Sequence, residues 1–284
     1  MNFLLKKLIV VFFTFFTLLS FQNSVFAQSK SDDFIITPIN IAWFSPFELV
    51  PFKPRRVVGV SANVFYGHED ELYGVQAGMV SRTLSGIGVQ AGLVQIANND
   101  FIGVQAGGFN YAGDFWGIQV SGMNVAADGF GVQVAAVTNH SNDFSGIQIS
   151  SSMNDADYFN GIQISAGLNR SFRNFSGLQI GLHNQIQVKV PVKDLLNVGG
   201  TLVPIYGQKK TSRKGMGNGA QIGLWNESVL ANGIQIGVVN ISEDINGVQI
   251  GLINYADSLK GIQIGLLNFH ANGVFGAPVF NLGW

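Results

Sequence analysis

Hydrophobic and polar residues alternate with period two through most of this chain, within a short motif that is repeated. The motif is a glycine followed by an aliphatic residue, a glutamine, a second aliphatic or small residue and a small residue. In the repeat that begins at Gly261, alternation places Ile262, Ile264 and Leu266 on one face and Gln263 on the other. Period two over this length predicts a β-strand rather than a helix.

The motif returns about every 14 residues, and turn residues such as Asp257 and Ser258 separate its copies. A unit this short cannot bury its own apolar face, so neighbouring units must share a core. The repeat therefore predicts an all-β architecture built from many similar strands. The motif glycines are Gly74, Gly88, Gly103, Gly117, Gly131, Gly146, Gly161, Gly177, Gly219, Gly233, Gly247 and Gly261.

Our first prediction for this architecture is an antiparallel, outer-membrane-type β-barrel with one strand per repeat. A strand of eleven residues at roughly 3.3 Å each is long enough to cross a membrane when tilted. Barrels of this kind usually close with an even number of strands, which predicts about 14 to 16 here. The aliphatic face would contact lipid and the glutamines would line the lumen. These candidate lumen-lining residues are Gln76, Gln90, Gln105, Gln119, Gln133, Gln148, Gln163, Gln179, Gln221, Gln235, Gln249 and Gln263.

The alternative is a parallel β-solenoid with one coil per repeat, its aliphatic face inside and its glutamines and asparagines stacked as ladders. Identity at every repeat favours this alternative, because parallel coils stack like residues on like. Three features favour the barrel. Stacked coils would bring Asp100, Asp114, Asp128 and Asp143 into a row about 4.8 Å apart. A 14-residue coil must use several residues for its corners, which leaves few for two sheet faces. The chain ends on Trp284 after alternating apolar residues, which resembles the assembly signal of bacterial outer-membrane barrels.

The N-terminus has the three parts of a secretory signal peptide. Lys6 and Lys7 precede an apolar run, Leu8–Phe21, and a small-x-small pattern ends at Ala27. We therefore predict cleavage after Ala27 and export to the bacterial outer membrane or cell surface. The chain has no cysteine, which excludes disulfides and thiolate metal sites.

The rest of the chain divides by composition into an N-terminal segment, two blocks of repeats and a basic insertion between them. Residues 1–27 are the predicted signal peptide, 28–58 the N-terminal segment, 59–184 the first repeats, 185–218 the insertion, and 219–284 the later repeats with a C-terminal strand.

The insertion departs from the repeat, and its strand-like pieces Ile186–Val190 and Thr201–Tyr206 predict a hairpin. Its tip is basic, which predicts contact with an anionic surface, although a solvated loop explains the same charges. The candidate polyanion contacts are Lys209, Lys210, Arg213 and Lys214.

Composition and motifs argue against an enzyme or a nucleic-acid-binding protein. Charged residues make up 12% of the chain and its net charge is −1, so no broad basic surface for nucleic acid is expected. The acidic turn His68–Glu71 does not have the spacing of a calcium loop. Gly86–Ala91 has the letters of a dinucleotide-binding loop, but its glycines belong to the β repeat. We predict no catalytic residues, no cofactor and no metal site.

The repeat Gly247–Tyr255 resembles that of a family of bacterial surface-repeat proteins, and Pro38–Phe52 and Phe280–Trp284 are similar to the ends of its members. The resemblance implies an exported protein of the cell envelope and carries no activity or functional residues. We therefore predict a non-enzymatic outer-membrane barrel with a structural or pore-like role and outer-membrane lipid as its partner. The alternative function is that of a secreted or surface solenoid, acting as an adhesin or as a module that binds a polyanion or glycan.

Overall fold

The structure is a computed structural model, and it describes residues 34–50, 54–186, 196–198, 201–203, 216–271 and 275–284. Its strands belong to the compact unit Ile35–Trp284. The predicted signal peptide lies outside the described residues. No described segment forms a helix long and apolar enough to span a membrane.

The described residues form fifteen strands in two sheets, one of thirteen strands and one of two. The longest strands continue through several successive coils without a break. The strands are β1 (Ile35–Phe44), β2 (Phe47–Glu48), β3 (Arg55–Ala97), β4 (Phe101–Ala106), β5 (Phe109–Ser150), β6 (Met153–Ser165), β7 (Leu168–Ser171), β8 (Phe175–Ile180), β9 (His183–Ile186), β10 (Leu196–Val198), β11 (Thr201–Val203), β12 (Gly217–Ile222), β13 (Trp225–Ile236), β14 (Val239–His270) and β15 (Phe275–Gly283).

The repeats stack in parallel and in register, so the fold is a parallel β-solenoid and the predicted barrel is wrong. Gly103 of β4 lies opposite Gly117 of β5, and the same pairing joins Gly146 of β5 to Gly161 of β6. Each repeat is therefore one coil whose strands pair with the same strands of the coils before and after it. We name each coil by its motif glycine.

The side chains that point into a coil are mostly polar, whereas the solenoid alternative placed the aliphatic face inside. In the Gly117 coil the buried residues are Phe115, Gln119, Ser121, Asn124 and Ala126. The expectation that a solenoid would place its aliphatic face inside is therefore wrong. The sidedness expected for the barrel is correct, because the glutamines point inward and the aliphatic residues point outward.

The motif glycine is required by the close approach of neighbouring coils. At Gly161 the backbone φ angle is +135°, a conformation that residues with a side chain rarely adopt. A Cβ atom there would also lie 2.0 Å from the carbonyl oxygen of Gly146. The same φ range and the same contact recur along the stack, so glycine at this position belongs to the coil geometry.

Two of the features that favoured the barrel, the aspartate row and the short coil, do not count against the solenoid in the structure. Asp128 and Asp143 do occupy neighbouring coils, but both are exposed, and the Asp143 backbone N–H donates to Asp128 Oδ1 at 3.3 Å. Water screens exposed carboxylates, so the row of aspartates is tolerated. The coil length is also sufficient, because Gly107 and Gly108 alone separate β4 from β5 in one coil.

Each end of the described stack has a different cap. At the C-terminal end β15 runs antiparallel to the last coil, with Ile264 opposite Phe280. The strand that ends the chain therefore covers a sheet edge instead of closing a barrel. At the N-terminal end β1 pairs in parallel with β3, and the buried Arg55 forms ion pairs with Glu48 at 2.8 Å and Glu69 at 2.6 Å.

The insertion leaves the stack without interrupting it. Gly177 of β8 pairs directly with Gly219 of β12, although the two coils are 42 residues apart along the chain. Within the insertion, β10 and β11 form a short antiparallel hairpin, but its first strand is Leu196–Val198 and not the predicted piece Ile186–Val190. Ile186 ends β9 on the stack, and the rest of the predicted piece up to Val190 lies outside the described residues. The basic tip, with Lys209, Lys210, Arg213 and Lys214, also lies outside them.

Candidate interaction surfaces

The twelve motif glutamines form a hydrogen-bonded ladder along the interior of the solenoid. Gln148 Nε2 donates to Gln133 Oε1 at 2.7 Å, and Gln163 Nε2 donates to Gln148 Oε1 at 2.9 Å. All twelve side chains are at most 2% exposed. The residues predicted to line a barrel lumen therefore lie in a packed interior and act as scaffold. They are Gln76, Gln90, Gln105, Gln119, Gln133, Gln148, Gln163, Gln179, Gln221, Gln235, Gln249 and Gln263.

A second ladder of asparagines runs beside the first with the opposite hydrogen-bond direction. Asn139 Nδ2 donates forward to Asn154 Oδ1 at 2.9 Å, whereas each glutamine donates backward to the preceding coil. Asn139 Nδ2 also donates to a backbone carbonyl, that of Ile149, at 2.8 Å. Because the two ladders run in opposite directions, their amide dipoles oppose one another.

The two ladders end at different places in the stack. At the C-terminal end, Asn281 of β15 donates to Gln263 Oε1 at 3.2 Å, so the cap strand continues the glutamine ladder. At the other end of the asparagine ladder, Gln95 lies opposite Asn110 but has no side-chain hydrogen bond with a described residue. The longer side chain at this position does not reproduce the asparagine geometry.

Because the amides fill the interior, the aliphatic residues of the motif form an exposed surface, which we call the uncharged face. It comprises the outward side chains of the seven-residue segments that start at each motif glycine, with Gly59 included as a first, degenerate copy. No Asp, Glu, Lys or Arg occurs in any of these thirteen segments. Ile250, Leu252, Ile264 and Leu266 are exposed on it, and Leu266 reaches 67% exposure.

The charged residues of the repeats lie in the remaining half of each coil. Several form ion pairs there, such as Arg170 Nε with Asp155 Oδ1 at 3.0 Å and Arg173 Nε with Asp157 Oδ2 at 3.5 Å. The charge distribution around the coil is therefore strongly one-sided.

A groove of about 740 Å³ crosses six coils on the N-terminal side of the motif glycines, next to the uncharged face. Its lining includes Asp114, Asp128 and Asp143 together with the aromatic rings of Trp116 and Phe130. Burial raises the pKa of the Asp143 carboxyl, repulsion from Asp128 and Asp157 raises it further, and Arg173 partly offsets both effects.

Metal binding has no support among the described residues, where no group of three or more His, Asp or Glu side chains converges on a point. The acidic turn is used within the protein: the Glu69 carboxylate accepts from Arg55 Nε at 2.6 Å and from Ser61 Oγ at 2.7 Å.

The chain matches no protein-family model, no curated protein and no solved structure. The resemblance to bacterial surface-repeat proteins therefore stays an expectation from the sequence, as do export and the absence of catalysis.

Sequence reasoning expected the aliphatic side chains to face outward, but it missed that their segments carry no charge, and it missed the groove. The uncharged segments are visible in the sequence once the repeats are aligned, because the absence of charge recurs in each copy. The groove is harder to find, because its residues lie one and three positions before each glycine and meet only after the coils are stacked in parallel.

We predict that the glutamine ladder is sensitive to loss of a single amide. Gln148→Leu leaves Gln133 Oε1 and Gln163 Nε2 buried without this hydrogen-bond partner. Each unpaired atom costs about 1–3 kcal/mol of stability. The free energy of unfolding, measured by urea denaturation followed by circular dichroism, should fall by about 2–6 kcal/mol. The control is Gln185→Leu, at a partly exposed glutamine that donates to Glu227 at 3.3 Å. Equal losses for the two variants would contradict the ladder.

We also predict a pH-dependent effect of Asp128→Asn. Because the folded Asp143 carboxyl has a raised pKa, its contribution to stability is present below its unfolded pKa, about 3.9, and is lost as pH rises through the folded pKa. Asparagine removes the repulsion yet can still accept the Asp143 N–H. The variant should lower the Asp143 pKa in an NMR titration and raise the unfolding midpoint slightly at pH 7, with no gain below about pH 3.

Asp257→Asn is the control for this effect, because it removes the same formal charge away from the aspartate row. An unchanged Asp143 pKa in Asp128→Asn, or the same shift in Asp257→Asn, would show that neighbouring aspartates do not set the Asp143 pKa.

Proposed function

We propose that this chain is a non-enzymatic, exported β-solenoid that lies on a lipid surface and contacts it through the uncharged face. The observation that carries this proposal is the absence of any charged residue from thirteen successive segments whose outward side chains are aliphatic. Exposed apolar surfaces that extend beyond a few hundred Å² mark interaction sites with proteins or membranes.

The chemistry of the uncharged face favours lipid over a protein partner. Protein interfaces carry about one hydrogen bond per 100–200 Å² and are surrounded by a polar rim. The outward side chains of Ile234, Ile236, Ile250 and Ile264 offer no hydrogen-bonding group, and the backbone of these strands is already paired between coils. A hydrocarbon layer needs no hydrogen bonds in return, so it suits this surface.

The later coils should provide most of the contact. In the early coils the outward position after the glutamine is alanine, as in Ala77, Ala91 and Ala106. In the later coils the same position is isoleucine, as in Ile236 and Ile250. Each additional buried methylene contributes about 0.8 kcal/mol to transfer out of water, so the later coils have the larger driving force.

The proposal retains the lipid partner expected from the sequence but changes the way in which it is contacted. The solenoid would rest on the lipid with one side, as amphipathic interfacial elements do, and its charged half would remain in water. Export through the predicted signal peptide would bring it to an envelope membrane. A pore-like role has no support, because the glutamines expected to line a lumen are buried in a ladder.

Binding to vesicles tests this proposal. Residues 28–284, which lack the predicted signal peptide, should co-sediment with vesicles of zwitterionic phosphatidylcholine, and binding should not weaken at high salt because no charge is involved. The variant Ile236→Thr, Ile250→Thr, Ile264→Thr keeps β-branched side chains and removes apolar area. Its partition coefficient should fall by about tenfold or more.

The matched control is Ile96→Thr, Val125→Thr, Ile241→Thr, which makes three similar changes in the other half of the coil. Circular dichroism should report folded protein for both triple variants. A chain that stays in the supernatant, or a first variant that binds as tightly as the control, would refute attachment through this face. A stable dimer that shows no vesicle binding would assign the face to a second copy.

A further inference from the structure

The groove beside the uncharged face is a concavity on the described solenoid that no structural role explains. Its volume of about 740 Å³ is within the range of ligand-binding clefts. It runs from Asp114 to Asn218 across six stacked coils, a length of about 24 Å at roughly 4.8 Å per coil. Its lining positions recur from one coil to the next, so a linear, repeating ligand suits it better than a compact one.

Exposed aromatic rings occupy one end of the groove. Trp116 and Phe130 are 60% and 59% exposed, and their ring centroids are 6.2 Å apart. Gly129 lines the groove between them, and the ring of the buried Phe144 lies 2.8 Å from the place that a Cβ atom of residue 129 would occupy. Large rings that remain this exposed offer flat apolar surfaces for a ligand.

The polar groups of the groove are acceptors at one end and mixed donors and acceptors at the other. Asp114, Asp128 and Asp143 provide carboxylate oxygens beside the aromatic rings. Further along the groove, Asn160 and Asn174 provide amides, which both donate and accept hydrogen bonds. No Lys, Arg or His lines the groove.

This lining disfavours a polyanion as the ligand of the groove. Three carboxylates repel phosphate, sulfate and carboxylate groups, and Arg173, which contacts the lining residue Tyr158, offsets this repulsion only in part, so the groove is poorly suited to a polyanion. A sugar unit has hydroxyl groups that donate to carboxylates and exchange hydrogen bonds with amides, and its C–H faces pack on aromatic rings. A chain of such units combines these properties in a linear form.

We propose that the groove binds a neutral polysaccharide, with Trp116 and Phe130 as the apolar platform and the aspartates and asparagines as hydroxyl partners. The proposal does not rest on attachment to lipid, because it uses the residues before each motif glycine rather than those after it. A cationic peptide is the competing ligand, since Lys and Arg side chains also favour carboxylates and aromatic rings.

The test measures how far neutral polysaccharides in a native gel retard residues 28–284. Uncharged cellulose derivatives, laminarin, dextran and glycol chitin are tested separately. Oligolysine is the competing probe. At least one neutral polysaccharide should retard the protein, and retardation should persist at high salt. Trp116→Ala should raise the dissociation constant at least tenfold, and Phe130→Ala should have an effect in the same direction.

Trp225→Ala is the matched control, because it removes a tryptophan that is 42% exposed on the uncharged face and should leave retardation unchanged. The triple change Asp114→Asn, Asp128→Asn, Asp143→Asn should weaken neutral binding only severalfold, since amides still accept hydrogen bonds from hydroxyls. Circular dichroism confirms that each variant is folded.

Three outcomes would overturn the proposal. One is that no neutral polysaccharide in the panel retards the protein. Another is that Trp116→Ala and Trp225→Ala bind equally well. The third is binding of oligolysine alone, with a steep salt dependence and complete loss in the triple asparagine variant. Loss of vesicle binding would leave the glycan result unaffected, because the two experiments use different residues.

Discussion

The stacking of side-chain amides at the spacing of a β-sheet is the interaction on which the rest of this structure depends. Each glutamine has one amide donor and one carbonyl acceptor aimed along the stack, and each is used by a neighbouring coil, as at Gln133, Gln148 and Gln163. A buried amide without a partner is costly, so the register of every coil is fixed by the coils around it. The requirement for glycine where two coils approach closely, as at Gly161, is a second consequence of the same register.

The amide interior also determines the surface. Because glutamines, asparagines, small residues and a row of phenylalanines fill the narrow coil, the isoleucines and valines of the motif face outward, where a soluble protein would ordinarily place polar residues. Charge is confined to the other half of the coil, and exposed aromatic residues such as Trp116 are found beside the acidic row. One packing constraint therefore produces both an apolar side suited to lipid and a polar groove suited to a hydroxyl-rich ligand.

The sequence predicted the strands and the two sides of each strand, but not how the strands are connected. Alternation at Ile262, Gln263 and Ile264 gave the correct inward and outward directions, and the same alternation is compatible with parallel or antiparallel neighbours. The aspartate row was weighted too heavily, because exposed carboxylates such as Asp128 are screened by water. The groove could not be predicted, since it depends on bringing the residues before Gly117 next to those before Gly131, a contact that only parallel stacking makes.

The most direct test of parallel, in-register stacking is the distance between two spin labels on consecutive coils. The chain has no cysteine, so Ser145→Cys together with Asn160→Cys provides unique attachment sites at residues that pair across the sheet. In the solenoid the two labels lie on adjacent strands about 4.8 Å apart, which predicts strong dipolar broadening of the electron paramagnetic resonance spectrum. Antiparallel repeats would place them near opposite ends of neighbouring strands, and a narrow spectrum with a separation above about 20 Å would contradict the account.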